Sequence, residues 1–203
     1  MSTGEVGLRE RKKRRMYEAI SEAAIGLFLE KGFENVSVAE VAAAAEISKP
    51  TLFRYFPTKE DLVLHRFADH EDEAARVVSG RDDGVTPLAA LRAHFFDGLA
   101  RRDPVTGLND HPAVLAFHRL LYGTPSLVAG MYGFQQRSEA ALAEALGEGV
   151  AARVSAGQIV AVQRILAMEN WRRIAAGESA DAVAPDAAEA AELGFRQLER
   201  GIG

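Results

Sequence analysis

Apolar residues recur along this 203-residue chain at the spacing of an α-helix, and no stretch alternates with the period of a strand. Tyr17, Ile20, Ala24, Leu27 and Phe28 predict a long first helix over about 9–31, closed at Gly32, with Phe33 packing back under the pair of short helices after it. Residues 1–8 lack periodicity and predict a disordered tail. Ser37 and Glu40 have the spacing of a capping box, and Val38, Val41 and Ala42 give the short helix behind it an apolar stripe. A second cap stands at Ser48, with Pro50 in the first turn, where a helix has no use for its N–H. This second short helix runs through Thr51 to Phe56.

Beyond Pro57, Thr58 and Asp61 cap a longer helix that is expected to run to about Ser79 as a connector. The Gly-containing stretch 80–85 interrupts it. Further helices are expected over about 86–102, 110–121, 124–146, 151–176 and 185–200, punctuated by Pro and Gly. The result is an all-α chain of about nine helices: a three-helix unit at 9–57, a connector at 58–79 and a larger helical domain at 80–203.

Two short helices about four residues apart have helix-turn-helix geometry, in which the second helix fits a DNA major groove. An ordinary helical corner would have the same spacing. The composition of the second helix separates the two: Ser48, Lys49, Thr51, Arg54 and Tyr55 bring hydroxyl, cationic and phenolic groups into one or two turns. Such groups suit phosphates and base edges, and packing alone does not need them.

The net charge of −5 does not argue against nucleic acid once its distribution is seen. Residues 1–60 hold ten Lys and Arg against nine Asp and Glu, so the acidic excess lies beyond them. Six basic residues crowd between Arg9 and Arg15, an arm able to lie along phosphates. Cysteine is absent, which removes disulfides and thiolate chemistry and fits a reducing, cytoplasmic setting. No apolar run has membrane-spanning length, and the basic N-terminal stretch leads into an amphipathic helix instead of a signal-peptide core.

Catalytic signatures are missing: there is no nucleophile elbow, phosphate loop or dinucleotide fingerprint. His65/His70 and His111/His118 are five and seven residues apart, which does not match short-range metal pairs. The expectation is therefore a non-enzyme with no cofactor and no metal site.

From about 12 to 67 the chain resembles the DNA-binding domain of the TetR family of transcriptional regulators. The resemblance rests on FLEKGFENVSV, VAAAAEIS and PTLFRYFPTKEDLV in order. It implies a homodimer on a pseudo-palindromic double-stranded DNA operator, with Ser37, Ser48, Lys49, Thr51, Phe53, Arg54, Tyr55 and Lys59 on or near DNA. Arg14 of the basic arm and Pro50 join that set. Three positions depart from the family pattern: Phe53 replaces a common tyrosine, while Glu46 and Pro50 replace frequent glycines. Phe53 thereby loses a phosphate hydrogen bond and moves toward a packing role.

For the remaining chain the resemblance implies an effector-binding and dimerisation domain. The stretch from Tyr122 to Trp171 faintly resembles regulators linked to acyl-CoA or mycofactocin. Phe95, Phe117, His118, Tyr122, Met131, Gln135, Met168 and Trp171 set polar and aromatic groups into apolar helix faces, which suits a small-molecule pocket and equally suits a core. Ile159, Val162, Ala187, Ala191, Gly194 and Leu198 on the last two helices suit a four-helix dimer interface or packing within one subunit. The expected function is a ligand-responsive regulator, a repressor before an activator, released by a small apolar or amphipathic effector. A helical ligand-binding protein or small enzyme with a vestigial helix-turn-helix, and a DNA-binding regulator without an effector, remain as alternatives.

Overall fold

The computed structural model describes the backbone of residues 3–201 and the side chains of residues 11–201. Among the described residues there is no strand. The α-helices are α1 Thr3–Lys31, α2 Val38–Ala44, α3 Lys49–Tyr55, α4 Asp61–Leu64, α5 Glu73–Ser79, α6 Pro87–Ala100, α7 Pro112–Gly123, α8 Pro125–Leu146, α9 Gly149–Ala175 and α10 Ala180–Arg200. Two 3-10 segments, His65–His70 and Pro104–Thr106, complete the set.

The chain divides into two compact units, Met1–Ala68 with Ala116–Tyr132, and Asp69–Leu115 with Gly133–Gly203. In the first, Ile20, Ala24 and Phe28 of α1 meet Val41 of α2, Leu52 of α3, Phe56, and Leu62 and Val63 of α4. Phe117, Leu121 and Leu127 belong to the same core. The expected boundary at residue 80 thus missed that residues 116–132 pack with the N-terminal helices. In the second unit, Leu91, Phe95 and Leu99 of α6, Ile159, Leu166 and Ile174 of α9 and Val183, Ala187, Ala191 and Phe195 of α10 build a separate core.

Seven residues are too few for α3 to hold as an isolated helix. Leu52 and Phe56, 1% and 2% exposed, fix it to the unit. Each contributes about 1.5–3 kcal/mol of burial. The helix is therefore held from one side, and the other is free.

Three boundaries differ from expectation. Helix α1 is described from Thr3, six residues before its expected start and inside the expected tail. The connector is not one helix over 58–79 but α4, a 3-10 segment and α5. Asp69, Asp72 and Glu73 would stack like charges three and four residues apart in a continuous helix. Instead Arg76 reaches back to the Asp69 carbonyl at 2.7 Å and the Asp72 carboxylate at 3.0 Å. Helix α10 begins at Ala180 rather than Pro185, because the Ser179 hydroxyl accepts from the Ala182 N–H at 3.2 Å.

Candidate nucleic-acid interface

The capping box predicted for α2 is fully formed. Ser37 Oγ accepts from the Glu40 N–H at 3.2 Å, while Glu40 Oε2 accepts from the Ser37 N–H at 2.8 Å and from its hydroxyl at 2.9 Å. These bonds, with Lys31 at 3.3 Å, hold the exposed Glu40 carboxyl below its ordinary pKa of 4.5. Helix α2 is closed just past its C-cap Ala45, where the Glu46 N–H donates to the Ala43 carbonyl and the Ile47 N–H to the Ala42 carbonyl at 2.9 Å. That is a Schellman closure, and it sets Glu46 at φ 55°, the conformation of the family's glycine. The turn conformation therefore survives the substitution.

Helix α3 opens on Ser48, whose Oγ accepts from the Thr51 N–H at 3.3 Å and lies 2.8 Å from Thr51 Oγ1. With Leu52 and Phe56 turned inward, Lys49, Pro50, Phe53 and Arg54 are exposed and Thr51 and Tyr55 half-buried. Among the described residues neither Lys49 nor Arg54 has an acidic partner. Lys12, Lys13 and Arg15 of α1 are also exposed, as is Arg14, which lies 3.7 Å from Glu18. The exposed face of α3 thus presents groups of the kind that bind phosphate and base edges.

Several expected contacts take other roles. Lys59 is not a free cation on an exposed turn: its ammonium donates to the Phe33 carbonyl and sits 4.3 Å from the centre of the Phe33 ring and 5.5 Å from Phe28. It ties the start of α4 to the chain after α1. Tyr55 stacks edge-on to Tyr17 at 4.9 Å between ring centres, so its ring supports α3 as well as lying on it. Phe53, expected to pack, is 42% exposed, because its side of α3 faces away from the core.

The eight candidate ligand residues divide evenly. Phe117, His118, Tyr122 and Met131 lie in the first unit, where Phe117 is a core residue and burial lowers the pKa of His118. Phe95, Gln135, Met168 and Trp171 lie in the second; Phe95 packs on Phe195 at 5.8 Å between ring centres, and Trp171 is buried.

The six candidate dimer residues form the seam between α9 and α10 inside one subunit. Ile159, Ala187 and Ala191 are buried, Val162 and Leu198 pack against the same core, and a side chain at Gly194 would come within 2.9 Å of Val162 Cγ1. Val162 and Leu198 are only partly buried there. The opposite face of α9 exposes Val150, Val154 and Ile165, which with Ala161 fall within about 60° of one another around the helix. Leu193 is exposed on α10. The sequence carried this second stripe at helical spacing, but the seam stripe is just as regular.

The chain matches the family described as bacterial regulatory proteins, tetR family, over residues 20–65. It is 33% identical over 147 residues to the HTH-type transcriptional regulator TcmR of Streptomyces glaucescens, covering 71% of this chain and 65% of that one. Over 74 residues it is 36% identical to an uncharacterized HTH-type transcriptional regulator of Bacillus subtilis, YuxN, covering 36% of this chain and 25% of YuxN. The chain thus spans under two thirds of the length of either relative. The fold is also that of NalD from Pseudomonas aeruginosa, the secondary repressor of the MexAB-OprM multidrug efflux pump. That similarity has a TM-score of 0.57 at 20% identity, over 90% of this chain and 97% of NalD. With the motif match centred on the capped pair α2 and α3, the chain belongs to the TetR family of bacterial regulatory proteins.

Proposed function

We propose that this protein is a ligand-responsive transcriptional repressor that binds a pseudo-palindromic DNA operator as a homodimer. The outward face of α3 carries the reading: a helix anchored by Leu52 and Phe56 presents Lys49, Pro50, Phe53 and Arg54 to solvent. That face suits the major groove, with Ser48 and Thr51 at its start and Arg14 on α1 near the backbone. Two such helices, one per subunit, would read half-sites about 34–36 Å apart.

The second copy docks on the exposed stripe of α9 and α10, through Val150, Val154, Ile165 and Leu193, not on the seam. Isologous packing of this stripe provides the two-fold axis that a palindrome requires. Residues 9–57 serve as the reading domain, and the second unit, Asp69–Leu115 with Gly133–Gly203, as the effector and dimerisation domain. A small apolar or amphipathic effector acts by binding better to the conformation with low operator affinity, since only differential affinity shifts such an equilibrium.

Arg54→Ala tests the reading helix. Arg54 is exposed, so the melting temperature should hold, while operator affinity should fall by at least about tenfold per half-site. Electrophoretic mobility shift at several salt concentrations measures both affinity and the electrostatic slope. Tyr55→Phe serves as the control that preserves the ring on Tyr17. Undiminished specific binding by Arg54→Ala would remove α3 as the reader.

A further inference from the structure

Phe53 is the apolar residue of α3 that the fold leaves in water. It is 42% exposed, while its neighbour Leu52 is 1% exposed and Phe56 2%. Since those two fix the helix, the exposure of Phe53 belongs to the design of the face and not to a loose segment. Pro50, one turn earlier, is exposed beside it. Lys49 Nζ lies 5.8 Å from the Phe53 ring centre, and Arg54 is the next residue. A small apolar surface thus has the Lys49 cation beside it.

A phenylalanine cannot donate to a phosphate, so whatever it meets on DNA it meets through apolar contact. In the major groove the apolar group that distinguishes one base is the C5-methyl of thymine. We infer that Phe53 reads a thymine in each half-site through that methyl group, with Lys49 and Arg54 holding the adjoining phosphate or base edge. This inference rests on α3 being the reading helix and adds the base it selects.

The test starts from an operator selected out of a random DNA pool with the full-length protein. Each thymine is then replaced in turn by deoxyuridine, which removes the methyl and leaves every hydrogen-bonding group in place. One thymine per half-site should lose affinity roughly four-fold when demethylated, or about sixteen-fold when both half-sites are changed. Phe53→Ala, which leaves the core intact, should bind the thymine and deoxyuridine operators equally. The inference is overturned if no demethylation weakens wild-type binding, if the selected half-site has no thymine, or if the penalty persists in Phe53→Ala. In each of those cases the intact operator is still bound specifically, so the reading helix stands. A failure to select any sequence overturns the operator reading and this inference with it.

Discussion

The turn at Glu46, after α2, and the turn at Gly107, between α6 and α7, both hold a pivot residue in the left-handed region, at φ 55° and 71°. Their tolerance differs. Glu46 is exposed and its turn is closed by backbone bonds to Ala42 and Ala43, so a side chain costs strain but meets no obstacle. At Gly107 an added Cβ would stand 1.9 Å from the Ala167 carbonyl oxygen of α9. The helix-turn-helix is shaped by local caps and turns, whereas the turn at Gly107 in the second unit is shaped by close approach of distant backbone.

Gly107→Ala should have the largest effect. It combines a left-handed φ with a clash against helix backbone that no rotamer change relieves, costing about 3 kcal/mol or more. For a chain of this size the melting temperature should drop by roughly 6–12 °C. The buried bond from Asn170 Nδ2 to the Thr106 carbonyl, 2.9 Å, would be lost with the displaced turn. Calorimetry of the purified variant decides it, and a drop of only a degree or two would show that α9 can yield.

Glu46→Gly should act in the opposite direction. Relief of left-handed strain, about 1–2 kcal/mol, is partly offset by the entropy glycine adds to the unfolded chain. A net gain of about 0.5–1 kcal/mol is expected in denaturant titration. Gly177 ends α9 in the same closure, with its N–H on the Ile174 carbonyl at 3.0 Å and the Glu178 N–H on that of Arg173 at 3.2 Å. Gly177→Ala should lose what Glu46→Gly gains, and equal signs for the two would refute strain as the cause.

This contrast also explains which parts of the molecule were legible in the sequence. The caps at Ser37, Ser48 and Thr58 were readable because a side chain and the backbone three residues on make them alone. The polar groups of α3 were legible from its composition, but the exposure of Phe53 was not. The role of Lys59 was not legible either, because its ammonium answers a carbonyl 26 residues earlier, at Phe33. Nor was the packing of α9: it carries two apolar stripes, Ile159 with Leu166 and Val154 with Ile165, and periodicity cannot tell which one meets its own α10. The connector is expected as one helix because its apolar spacing continues through Leu62, Val63 and Phe67, whereas α4 already gives way to the 3-10 segment at His65, before Phe67, and α5 starts only after the acidic run.

The smallest effect lies at that break, within the second unit. Glu73 accepts from His70 Nδ1 at 2.7 Å and faces His94 Nε2 at 3.1 Å. The bond to Glu73 raises the pKa of His70 above its ordinary 6.5, with Asp103 and Asp69 adding to the pull; His70 in turn lowers that of Glu73 below 4.5. A raised histidine contributes stability that is complete below pH 6.5 and fades as pH climbs through the folded-state value. A lowered carboxylate contributes stability that is complete above pH 4.5 and fades as pH falls through its own. The pair is therefore strongest between those two limits. Partial exposure caps its worth at about 1 kcal/mol, or roughly 2–4 °C in melting temperature. Melting curves from pH 5.5 to 8.5 should show that decline in the wild type and a shallower one in His70→Gln, with His94 left to account for the remainder. A slope unchanged by His70→Gln would mean that the ordering of the connector does not depend on this ion pair, and that the like-charge spacing of Asp69, Asp72 and Glu73 breaks the helix unaided.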